Sequence, residues 1–79
     1  MEKVIRRLER RIACYERKIQ QYKELVEDDK KRMAKAIDRE QFKTVQVISE
    51  SIKSYKEKIT AYDDIIEELS EVLEIAKGE

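Results

Sequence analysis

Apolar residues along this chain recur at alternating steps of four and three. From Ile48 the run is Ile48, Ile52, Tyr55, Ile59, Tyr62, Ile66, Leu69 and Leu73. A spacing near 3.5 residues keeps one stripe along one side of a helix, and a stripe this narrow is covered by one other helix. The N-terminal half repeats the pattern in Ile5, Leu8, Ile12, Tyr15, Ile19, Tyr22, Val26, Asp29, Met33 and Ala36. Taking Ile5 as heptad position a, the a residues are Ile5, Ile12, Ile19, Val26 and Met33, then Val45, Ile52, Ile59, Ile66 and Leu73. The d residues are Leu8, Tyr15, Tyr22, Asp29 and Ala36, then Ile48, Tyr55, Tyr62, Leu69 and Ala76. β-branched residues dominate a in both halves, and each half sets two tyrosines at successive d positions.

The two seams are out of register. Continuing the first puts position a at residue 40, whereas the second has it at 45. Between them Asp38 is followed three residues later by Gln41, the spacing of a capping box, in which an Asp carboxylate accepts from the free amides of a new helix. Ile37 and Phe42 stand where a hydrophobic staple would close over that cap. This predicts an all-α, antiparallel helical hairpin in one domain, residues 1–79. Arm one covers about 2–36, the turn about 37–39 and arm two about 39–77. Glu27 with Lys31 and Asp28 with Arg32 are acid-before-base pairs that support the first helix up to the turn, and Asp29, the one acid in a seam, is expected to pair locally with Arg32 or Lys30, or else to specify register or bind a partner. The alternative is one unbroken helix of about 115 Å, with the frame shift absorbed by local unwinding.

Charge favours the antiparallel arrangement. Residues 1–37 hold twelve Lys and Arg against seven acids, and the remainder holds six against eleven. The arms therefore carry about +5 and −5, and a hairpin lays the basic tract Lys3 to Arg11 beside the acidic tract Asp63 to Glu74. Overall the 18 bases and 18 acids cancel, so no net field gathers nucleic acid or an anionic membrane.

A few apolar residues lie off the seams. Val4 and Leu25 occupy g in the first arm, Ile65 and Val72 occupy g in the second, and Val47 and Ile75 lie further round at c. In an antiparallel pair g faces g, which makes Val4, Ile65 and Val72 a candidate dimer edge. A lone two-helix hairpin has little core, and pairing two of them gives a four-helix bundle. A homodimer is the expectation.

Candidate chemistry is sparse. The chain has no His, no Gly-rich loop and one cysteine, Cys14, at an outer position, so neither an enzyme nor a cofactor site is expected. The acids Asp63, Asp64, Glu67, Glu68 and Glu71 have chelating intervals but read as a solvated face, and no metal is expected. Arg6, Arg7, Arg10 and Arg17 are the candidate contacts for a protein partner or for phosphates. No nucleic-acid-binding motif or aromatic platform accompanies them. The segment MEKVIRRLERR has no apolar core and reads as neither signal peptide nor membrane span, so a membrane is not an expected partner; a single cysteine forms no internal disulfide, and a reducing, cytoplasmic setting is expected. The function expected is a non-enzymatic interaction module, an adaptor, assembly chaperone or inhibitor of another protein. The rivals are nucleic-acid binding by the basic arm and a structural spacer in a larger assembly.

Overall fold

The computed structural model describes residues 1–78, and among these the regular structure is two helices, α1 (Glu2–Asp38) and α2 (Phe42–Gly78). Each has 37 residues, or about 55 Å at 1.5 Å per residue. The Cα envelope measures 60 × 14 × 12 Å. That is one helix long and two helices across, so the chain is an antiparallel hairpin and not a single rod.

The seam that the heptads trace is the core. All twenty a and d residues are buried or half-buried, and among the described residues only Ser51, Ile65 and Ser70 join them. The aromatic rings fix the register. The Tyr22 ring lies 5.6 Å from Tyr55 and 5.9 Å from Tyr62, centroid to centroid, so it inserts between them opposite Ile59. Tyr15 lies 5.4 Å from Tyr62 on the other side. Stepping outward by threes and fours, Ile19 faces Tyr62 and Val26 faces Tyr55. Asp29 faces Ile52, Met33 faces Ile48, and Ile5 faces Ala76 at the open end. The core is thin. Its buried apolar members are Ile19, Val26, Ala36, Ile48 and Ala76, because a two-helix pair leaves every layer open at both flanks.

The turn departs from the expectation in position and in chemistry. α1 continues through Asp38, Arg39 closes it, and the reversal occupies residues 39–41. The Glu40 amide donates to the Ile37 carbonyl at 3.0 Å, and the Gln41 amide donates to the Ala36 carbonyl at 2.9 Å. These two bonds form a Schellman motif, whose left-handed residue is usually glycine. Here it is Glu40, at φ 56°, a conformation that costs a residue with a Cβ about 1 kcal/mol or more.

Asp38 therefore does not cap the second helix, since it is the last residue of the first. Gln41 does stand at the N-terminus of α2, where its backbone carbonyl accepts from the Val45 amide at 3.0 Å. The expected capping box thus sits three residues too early. The expected staple fails with it. Phe42 is the first residue of α2 rather than its fourth, and Ile37 and Phe42 stay 52% and 70% exposed.

Candidate functional site

Three features of the hairpin carry chemistry beyond simple packing. The first is the polar layer in the seam. Asp29 is 7% exposed, and its Oδ1 accepts from an Arg32 guanidinium nitrogen at 3.2 Å. Its Oδ2 is buried with no hydrogen-bond partner. Arg32 thus turns toward the seam acid instead of pairing with Asp28, and Glu27 pairs with Lys30 at 3.4 Å rather than with Lys31. Both pairs span three residues, not four. A seam acid with one unsatisfied oxygen opposes burial, and polar seam residues of this kind can specify register at a cost in stability.

The second feature is the aromatic middle. Tyr15, Tyr22, Tyr55 and Tyr62 stack across the interface, and two lysines stand over the rings. The Lys18 ammonium lies 5.9 Å from the Tyr15 centroid and 5.7 Å from Tyr62. The Lys58 ammonium lies 5.4 Å from Tyr22. An exposed cation over an aromatic face contributes about 0.5–1 kcal/mol. Sequence reading found the tyrosines but not the lysines. Their signal was present, because Lys18 and Lys58 both occupy g, each between the two d tyrosines of its own arm. Both lysines are g residues, so they stand over the same edge of the aromatic layer.

The third feature is the outer surface, where the two helices differ. Arg6, Arg7, Arg10 and Arg17 are all exposed on α1. Lys3, Arg6, Arg7 and Arg10 line a shallow groove of about 220 Å³ near the N-terminus. Among the described residues the ion pairs are Lys30–Glu27 and Arg32–Asp29, so those four arginines keep their charges free. Asp63, Asp64, Glu67, Glu68 and Glu71 are likewise exposed along α2. The described residues place no group of three or more His, Cys, Asp or Glu side chains together as a metal site. Cys14 is an exposed free thiol.

The remaining exposed surface of α2 is partly apolar. Val47 is 66% exposed, Val72 49% and Ile75 65%, with Ile65 half-buried beside them. Of the candidate dimer edge, Val4 is 48% exposed. The register places it near Val72 at the open end, on the same edge of the hairpin. Leu25 lies further along that edge and is 41% exposed. On the opposite edge α2 carries an open trough of about 620 Å³ between Ser49 and Thr60, with Lys53, Lys56 and Glu57 along its walls.

No helix among the described residues is long and apolar enough to cross a membrane. Comparison of the chain with protein-family models, with curated proteins and with solved structures gave no match in any of the three.

Proposed function

We propose that this chain is a non-enzymatic α-helical interaction module, a homodimer that acts on another protein as an adaptor, assembly chaperone or inhibitor. One observation carries the reading. The a/d seam is consumed within the hairpin, yet Val47, Val72 and Ile75 remain half to two-thirds exposed on one side of α2. A helix that is apolar on a second side has surface left for another helix. Light scattering on a size-exclusion column tests the homodimer: the expected mass is twice that of one chain, and Ile75→Glu lowers it toward one. Affinity capture tests the partner. One stoichiometric protein should be retained by the wild type and lost by a variant with Val47→Glu. A single-chain mass at high concentration, with nothing retained, would remove the reading.

A second reading rests on the unpaired arginines. A groove lined by Lys3, Arg6, Arg7 and Arg10 offers four cations to a phosphate backbone, and such binding weakens steeply with salt. Reversing Arg6, Arg7 and Arg10 to Glu should then abolish the shift of a duplex or single-stranded probe at low salt. No shift with the wild type at low salt ends this reading.

A further inference from the structure

The exposed apolar residues of α2 belong to a longer pattern. Thr44, Val47, Ser51, Ser54, Lys58, Ala61, Ile65, Glu68, Val72 and Ile75 follow one another at steps of three and four. This is a second heptad stripe, at positions g and c, centred about 100° round the helix from the seam. The equivalent stripe of α1 reads Val4, Arg7, Arg11, Cys14, Lys18, Gln21, Leu25, Asp28, Arg32 and Lys35, and is mostly charged. α2 is correspondingly the more apolar and the less one-sided of the two helices.

We infer that this stripe pairs with the same stripe of a second copy, α2 running antiparallel to α2, about a two-fold axis level with Asp63. The inference rests on the homodimeric reading above and specifies its surface and register. The observation that selects it is self-complementarity. In an antiparallel helix pair each g residue lies opposite a c residue of the partner helix, in layers. With the axis at Asp63 the layers are Ser51 against Ile75, Ser54 against Val72, Lys58 against Glu68 and Ala61 against Ile65, each occurring twice by symmetry. Every small residue meets a large aliphatic one. Within this span the stripe's single Lys meets its single Glu.

Moving the register one heptad in either direction destroys this. One shift puts Lys58 against Ala61 and Glu68 against Ser51. The other puts Lys58 against Ile75 and Glu68 against Ile65. Either covers two charges with no opposite charge facing them, a larger loss than a matched pair. The selected overlap, Ser51 to Ile75, runs about 37 Å along the axis. Val47 lies one layer beyond this overlap, where no described residue of the second copy faces it, and is the apolar residue left for the protein partner. Of the sequence-expected dimer edge, Ile65 and Val72 lie in the contact and Val4 flanks it.

Charge exchange tests the register. Sedimentation equilibrium should show the wild type as a dimer. Lys58→Glu and Glu68→Lys should each weaken association about tenfold or more, because each creates two facing like-charge pairs. The double variant K58E/E68K should restore it. Lys58→Glu also removes the cation over Tyr22, but the double variant lacks that contact too, so rescue reports only the facing pair. Circular dichroism confirms that each hairpin stays helical. Val47→Glu should leave dimerisation unchanged, whereas the register that seats Val47 on Val72 predicts its loss. A dimer that ignores the single exchanges, or is not rescued by the double one, overturns this register and leaves the homodimer standing. A wild type that stays monomeric overturns both.

Discussion

The two helices are equal in length and matched in seam, yet they spend their residues differently. α1 places its one buried acid, Asp29, inside the interface and covers most of its remaining surface with charge, Val4, Leu25 and Ile37 being its exposed large aliphatic residues. α2 is apolar or aromatic at all its seam positions and carries further Val and Ile outside. The charges of α1 keep its outer face in water, and its packing is satisfied by α2 alone. Of the surplus on α2 only Ile65 is half-buried against the hairpin, and the rest is exposed surface of the kind that marks association. On the proposed reading, fold and assembly are written on different faces of one helix.

The comparison can be broken most forcefully in the seam, all measurements being made by urea unfolding at a fixed protein concentration. Ile48 of α2 is 4% exposed and shares a layer with Met33 of α1, which is half-buried. Ile48→Ala should cost about 2–4 kcal/mol, and Met33→Ala distinctly less. Equal losses would show that the two arms contribute alike. Next comes the polar layer. Asp29→Leu gives α1 the apolar seam that α2 already has and removes the unsatisfied Oδ2, so stability should rise by about 1–2 kcal/mol. Looser register should accompany the gain, read as broadened distances between spin labels on the two arms. A net loss of stability would mean that Oδ2 is satisfied in solution.

Smaller effects belong to the link between the arms. Glu40→Gly relieves the left-handed residue and should add about 0.5–1 kcal/mol. Gln41→Asp supplies the side-chain cap that α2 lacks at its true N-terminus, and should add a similar amount. Asp38→Ala, by contrast, should leave stability nearly unchanged, because Asp38 ends α1 and caps nothing. The least effect is expected at the paired outer positions Gln21 and Val47. Gln21→Ala and Val47→Gln should each shift hairpin stability by less than about 0.5 kcal/mol. A larger penalty at Val47 than at Gln21 would mean that the outer face of α2 already takes part in folding.

The seams were legible because 3.5-residue periodicity is imposed by the geometry of helix on helix and survives any choice of surface residues. That is why each residue from Ile5 to Ala36 and from Val45 to Ala76 assigned to a or d is at least half-buried. The turn was legible as a break in frame but not in its chemistry. The pattern Asp38-x-x-Gln41 satisfies the local rule for a cap. A Schellman closure that delays the helix end by a few residues satisfies the backbone better, even with Glu40 in a strained conformation. Arg32 had two acids within reach in the sequence, Asp28 four residues back and the seam Asp29 three back, and the structure gives it to Asp29. Asp28 offers the better interval along the helix, but Asp29 is the acid whose burial needs a partner. The lysines over the tyrosines and the second stripe of α2 were present in the heptad labels, but gained meaning only once g and c had neighbours.

The sequence by itself determined two amphipathic helices, the residues that meet between them and the opposite charge of the arms, because each follows from spacing along a helix of known pitch. Only the tertiary structure decided where the chain reverses, which residue bears the left-handed backbone, and that one oxygen of Asp29 is left without a donor. Those outcomes depend on how two whole helices settle against each other, and no local interval of residues encodes that settlement.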